Sequence, residues 1–261
     1  SVTKQFTAVA IMMLQERELL NIDDTIDTYL SGYPNGKLFT VRQLLNHSAG
    51  LPNFWDHAEV IDFSKPQSVD ELIDSFKDQP MVYTPGEDFI YNNAGYYLAG
   101  KIIEVVSGQS YGQFLNETIF EPLEMSNTYF IKPRGHNSFV AKGYGPDYQD
   151  VEAFDPSTPH AAGGLTSTVL DLYKWQKAIL DKTLLSLNSW EEVFSDYGYE
   201  YGLGWIVNTI GDEKIIQHTG VLPGFRSLVW LRLENETSFI LLSNDEYFQP
   251  ELIITSLIMK T

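Results

Sequence analysis

The chain has 261 residues, 43% hydrophobic and 20% charged, with 19 Gly and 12 Pro spread along it, a balance that excludes disorder, collagen-like repeats and low complexity. Seventeen Lys plus Arg against 35 Asp plus Glu leave a formal charge of -18, a field that repels phosphate backbones and anionic lipid heads and argues against nucleic acid as a partner. There is no cysteine, which removes thiolate catalysis, disulfides and Cys-based metal sites, and apolar runs such as AVAIMML (8–14) fall far short of the ~20 residues of a spanning helix.

In chain order, Phe6, Val9, Ala10, Met13 and Leu14 recur at helical spacing directly after Ser1-Val2-Thr3-Lys4. A chain that opens inside a packed helix reads as a fragment or processed product, with any export signal upstream. Helical periodicity returns over 40–46, 69–77, 94–107, 111–120 and 167–180, with Gly108 placed as a C-cap. An irregular stretch occupies 132–164. From residue 201 the pattern shifts to period two or short apolar runs, at YGLGWIVN (201–208), EKIIQHTG (213–220), RSLVWLRLE (226–234) and TSFILLSN (237–244). A last helix is expected over 250–260. Strands joined by short turns pair antiparallel, so the expectation is an α+β protein, a mostly helical lobe beside an antiparallel sheet, with ligands favouring the junction.

Three short patterns carry possible chemistry. Ser1 and Lys4 stand three apart at a helix start, on one face; an ammonium beside a hydroxyl is one way to make a serine nucleophilic. Alone, the pattern is better read as a Ser N-cap and a surface Lys. Tyr91-Asn92-Asn93 precedes the 94–107 helix, where either Asn suits an N-cap and Tyr91 a buried aromatic; the functional alternative has Tyr91 exchanging protons with Ser1 while an amide holds a substrate carbonyl. His218-Thr219-Gly220 closes a strand and is either a plain turn or an edge along which a substrate backbone lies.

Other features read as structural. Glu191, Glu192, Asp196 and Glu200 lie in a stretch without Lys or Arg and suit a solvated acidic face. His47 and His160 lack a partner at metal-ligand spacing, so loop-stabilising roles are expected and no metal or other cofactor is called for. Aromatics such as Phe54, Trp55, Tyr144, Tyr148 and Trp190 are assigned mostly to the core, with a few lining a cleft. GLG (202–204) lacks the strand-turn-helix setting of a nucleotide loop.

Taken together and in order, S-x-x-K, Y-x-N and H-x-G resemble the serine β-lactamase and penicillin-binding protein superfamily, specifically its class C β-lactamase-like group, which includes D,D-peptidases and esterases. LLNHSAGLP (44–52), YTPGEDFIYNNAGYYLAGKIIEVVSG (83–108), EPLEMSNTYF (121–130), AAGGLTSTVLDLYKW (161–175), YGLGW (201–205) and HTGVLPGF (218–225) extend the resemblance over nearly the whole chain. It implies a β-lactamase/transpeptidase-like α+β fold, a single domain over 1–261 with a helical lobe near 20–200 and a sheet lobe from 1–19 plus 201–261. It also implies a serine hydrolase acting through an acyl-enzyme on a β-lactam, a D-amino-acid peptide or a small ester. Ser1 would be the nucleophile, Lys4 would assist its deprotonation and Tyr91 would be general base and then acid. Asn93 would contact the substrate amide, the backbone N–H groups of Ser1 and Val221 would form an oxyanion hole, and His218, Thr219 and Gly220 would line the edge strand. His218 stands where many relatives carry Lys, which lowers the expectation of efficient β-lactam hydrolysis.

The same resemblance places an N-terminal helix and two strands ahead of Ser1 in relatives. Their absence here implies an open edge at 237–244, with self-association through it, and a free α-amine at Ser1 as a further candidate base. Location in the bacterial envelope or outside the cell is also implied. A non-catalytic binding or sensor domain and an inactive fragment remain the competing readings.

Overall fold

The structure, a computed structural model, describes residues 1–53, 62, 64–130, 140–151, 155 and 157–258. Phe54, Trp55, the beginning of the 132–164 stretch and the expected end of the last helix lie outside the described residues.

Helix α1, Thr3–Glu16, is buried on every side from Thr3 to Leu14; Ala8–Leu14 is wholly apolar, as a helix core-buried all round favours, whereas the first turns bury Thr3, Lys4, Gln5 and Thr7. Two short helices follow, α2 (Val41–Leu45) and α3 (Val69–Asp74), each opened by a capping box, Thr40 with Gln43 and Ser68 with Glu71. Helix α4, Ala94–Ser107, packs along α1 and stops at Gly108, which takes the left-handed conformation at φ 71°. Helix α5 (Tyr111–Leu115) runs on through a π-type turn, Asn116–Phe120. Then come α6 (His160–Gly163), α7 (Val169–Leu180, capped by Thr168) and α8 (Leu187–Val193, capped by Ser186).

Strands β1 (Ile206–Ile210), β2 (Glu213–Leu222), β3 (Phe225–Arg232) and β4 (Ser238–Ser243) form an antiparallel sheet in the order β1-β2-β3-β4. Helix α9, Pro250–Ile258, sets Ile254 against Ile215, Leu228 and Trp230 on one sheet face. The opposite face carries Ile216, Val229 and Leu231, which join α1 and α4 in one buried cluster. The fold is therefore α+β, as expected. Among the described residues β4 pairs with β3 alone.

Two expectations need correcting. The strand expected over 201–208 begins only at Ile206, because the preceding residues press against α1: Gly204 sits at φ +80°, and a Cβ there would meet the Lys4 carbonyl oxygen at 2.6 Å. The acidic stretch is in part helix α8, and Glu192 is not simply solvated but ion-pairs with Arg42 of α2.

Candidate active site

The N-terminal turn of α1 is the centre of the site. Were Ser1 a cap, its hydroxyl would accept from a first-turn N–H; instead the cap position is Val2 and no side chain caps the helix. Ser1 Oγ accepts from Lys4 Nζ at 3.2 Å. Lys4 is fully buried, and its other donors reach Asn93 Oδ1 and the Ala162 carbonyl, each at 2.8 Å. Three acceptors for three N–H groups satisfy the amine, yet none is a carboxylate. Burial accordingly holds the Lys4 pKa well below the ordinary lysine value.

The Asn92-Asn93 pair divides its labour. Asn92 Oδ1 accepts from Gly95 N at 3.2 Å and so caps α4, which frees Asn93 for Lys4. Tyr91 precedes them with its ring 4.9 Å from Lys4 Nζ. Part of that residue is open, 39% exposed. Burial raises its pKa and the neighbouring Ser1 hydroxyl works against that rise, so the phenol rests protonated.

A strap between the irregular region and α7 completes the support. Ala161 and Ala162 offer carbonyls to Thr7 (2.7 Å) and Lys4, and Leu165 N donates to Thr3 Oγ1 at 3.1 Å. Two successive turns of α1 are thereby fixed to one segment. AAGGL was legible as a pattern, but backbone acceptors leave no side-chain signal, so this role was not.

On the sheet side, β1 pairs with β2 only as far as Gln217. The β2 edge from His218 to Leu222 has no further partner strand among the described residues. Gly220 is buried there, and a Cβ on it would lie 2.2 Å from Ser227 Oγ and 3.3 Å from the Ser1 nitrogen; the missing side chain lets β2 close on β3 and on α1. Val221 is 57% exposed at the open end. His218, by contrast, turns inward and is 2% exposed. Its Nδ1 faces the Thr219 carbonyl at 2.7 Å and must donate to it, so Nε2 accepts from the Tyr201 hydroxyl at 2.9 Å. Burial, then Lys4, holds its pKa well below 6.5. The ring is neutral and both nitrogens are committed within the protein.

Ser1, Lys4, Tyr91 and Asn93 thus come together, with Gly220 beside them, and His218 stands behind them. A cavity of about 620 Å³ opens at Ser1 between Gly163 and Gly220, walled by Phe6, Phe130, Leu165 and Phe225 among other apolar residues. Among the described residues no cluster of three potential metal ligands occurs, and no helix is long and apolar enough to cross a membrane.

A helical body and an antiparallel sheet meeting at a Ser–Lys–Asn cluster around a buried lysine define the β-lactamase/transpeptidase architecture. The Beta-lactamase family model matches residues 1–258, and the chain belongs to that family. A penicillin-binding protein of Bacillus subtilis (strain 168) is 29% identical over 272 residues, covering 94% of this chain and 60% of the relative. The chain therefore spans about three-fifths of that relative's length. Among solved structures, a D-stereospecific amidohydrolase from Streptomyces sp. superposes with a TM-score of 0.88 at 25% identity, over 100% of this chain and 86% of that one. An octameric penicillin-binding protein homologue from Pyrococcus abyssi gives 0.87 at 31% identity, over 100% and 65%.

Proposed function

We propose that the chain is a serine hydrolase that opens amide or ester bonds through an acyl-enzyme on Ser1. The observation that carries this reading is the buried, carboxylate-free Lys4 bonded at once to Ser1, Asn93 and the 160–165 strap. A lysine so placed has a depressed pKa and a neutral fraction able to take a proton. Ser1 gives its hydroxyl proton to Lys4, directly or through the Tyr91 phenol, as the Oγ–carbon bond forms. The oxyanion meets the backbone N–H groups of Ser1 and Val221, a kind of contact worth about 3 to 4 kcal/mol per donor. Collapse breaks the carbon–nitrogen or carbon–oxygen bond, and Tyr91 passes the proton to the leaving group. Water then repeats the sequence and frees Ser1.

Because Tyr91 rests as a phenol, Lys4 is the resting base and Tyr91 the relay. Asn93 donates its amide N–H to the substrate while its oxygen holds Lys4, and Thr219 and Gly220 border the substrate edge. His218 offers no cation to a substrate carboxylate. That favours amides or peptides of D-amino acids and small esters over β-lactams that rely on their carboxylate, in keeping with the amidohydrolase likeness. An extracytoplasmic location and self-association along the outer edge of β4 belong to the same reading.

The test is intact-protein mass spectrometry after exposure to a fluorophosphonate. One adduct per chain is expected, mapped to Ser1 and lost in Ser1→Ala with the melting temperature nearly unchanged. An adduct that persists in Ser1→Ala removes Ser1 from the mechanism.

A further inference from the structure

The site holds a buried titratable ring that this chemistry leaves unused. His47, just beyond α2, is 1% exposed and keeps a left-handed backbone at φ 62°. Such a conformation is uncommon for a non-glycine residue and persists only where its surroundings enforce it.

The enforcing contacts all run to one loop. The His47 carbonyl accepts from the Tyr83 hydroxyl at 2.8 Å and from Ile90 N at 3.3 Å. Its Nδ1 accepts from Asn92 N, also at 3.3 Å, and its ring lies 4.4 Å from that of Tyr91. The Asn92 N–H belongs to the peptide that links Tyr91 to Asn92, one residue from Asn93. A single acceptor therefore sits under the segment that presents both the phenol and the Lys4-binding amide. With Nδ1 accepting, the proton of the neutral ring is on Nε2, and among the described residues that nitrogen has no hydrogen-bond partner. It is enclosed by the rings of Tyr91, Tyr96 and Tyr201, at 4.4, 5.3 and 4.7 Å between centroids.

We infer that His47 is a positioning residue for acylation: its neutral ring fixes the Tyr91–Asn92–Asn93 backbone and seats the Tyr91 phenol against Ser1 and Lys4. The inference rests on the serine hydrolase reading. A doubly protonated imidazole donates from both nitrogens, so protonation would break the bond from Asn92 and release the loop. The groups that face the ring are Lys4 from α1, His218 from β2, Tyr96 from α4, and Tyr91 and Tyr201 from the flanking loops. None is an acid. Burial first, then Lys4 and His218, hold its pKa well below 6.5, which keeps Nδ1 an acceptor through the neutral range.

The test measures the maximal rate and half-saturating concentration of fluorophosphonate labelling for His47→Phe and His47→Gln. Phe keeps a ring without an acceptor; Gln keeps an acceptor without the ring. A displacement on the order of 1 Å in a reacting group costs about 100-fold in rate, so His47→Phe is expected to lose about 10- to 100-fold in maximal rate with little change in half-saturation. His47→Gln should recover much of that loss. In a Tyr91→Phe background the His47→Phe loss should shrink to about threefold or less, since coupled groups are not additive. If His47→Phe does not fold, replacing the Asn92 peptide nitrogen by an ester oxygen removes the same donor, and the same loss is expected. Equal losses for Phe and Gln, a full loss in the Tyr91→Phe background, or an ester variant that labels at the wild-type rate would overturn the role of His47. Failure of the wild-type chain to label at Ser1 would instead strike the hydrolase reading itself.

Discussion

Lys4 and Arg42 are both cations carried by helices, α1 and α2, and the protein satisfies them by opposite means. Arg42 makes a two-pronged contact with Asp23 (2.6 and 2.9 Å), reaches Tyr197 at 2.8 Å and ion-pairs with Glu192. The Asp23 bond pushes its pKa up, and Arg42 in turn holds the Asp23 carboxyl below its usual value. Lys4 is more deeply buried and receives only a hydroxyl, an amide oxygen and a carbonyl. Pairing with a carboxylate would have fixed the proton on Lys4 and made it, like Arg42, a clamp between elements. Dipoles alone satisfy its hydrogen bonds without cancelling the cost of its charge, which keeps the proton exchangeable.

The contrast breaks most sharply if Lys4 is removed. Lys4→Met and Tyr91→Phe should each lower the labelling rate by about 100- to 10,000-fold. The double variant should lose far less than the product, because one proton path is being cut twice. Multiplicative losses measured in single-turnover labelling would mean that the two groups act separately.

A second large effect concerns acid. His47, His160 and His218 are all buried, and burial is the leading cause that lowers each pKa, that of His160 to about 3. The unfolded chain binds protons near pH 6.5 that the folded chain excludes, so stability is complete above that value and falls as pH drops below it. Each histidine contributes about 1.4 kcal/mol per pH unit in that window. Urea midpoints should therefore fall between pH 6.5 and 5, before the carboxylates titrate. Midpoints flat over that range would show that the three rings accept protons in place.

Converting Lys4 into a second Arg42 sharpens the comparison further. Asn93→Asp sets a carboxylate 2.8 Å from Nζ in place of an amide oxygen, raises the Lys4 pKa and depletes the neutral amine at pH 7. The labelling rate should drop about 10- to 100-fold there, and recover as pH rises, because each unit of pKa is a factor of ten in the neutral fraction. A rate loss of the same size at every pH would point to lost substrate contact instead. Least costly is Arg42→Met: Asp23, its two-pronged partner, is 62% exposed, so about 1 kcal/mol of stability should go, while the labelling rate stays at the wild-type value.

The two cations also show what a sequence displays and what it hides. The Ser1–Lys4 spacing is legible because i and i+3 share a helix face, and α4 is legible because its apolar period and Gly108 agree on one element. Arg42 and Glu192 lie 150 residues apart, and nothing local joins them; α8, LNSWEEV, was missed because it lacks the i, i+3, i+4 apolar repeat that Val41, Leu44 and Leu45 give α2. Asn92 and Asn93 are the same residue type side by side, so which caps the helix and which binds Lys4 is decided by the direction each points. The strand expected to start at 201 starts at Ile206 because the Lys4 carbonyl, far away in sequence, fills the space a side chain at Gly204 would need. Ala162 contributes a carbonyl, which every residue has.

The most direct measurement is the pH dependence of single-turnover fluorophosphonate labelling at Ser1, compared between the wild-type chain and Asn93→Asp. With Lys4 as the buried base, the wild-type rate should rise through an apparent pKa clearly below the ~10.4 of an ordinary lysine, and the Asp variant should move that rise to higher pH. A rate that climbs only near pH 10 in both proteins, or one that does not depend on pH, would contradict the account.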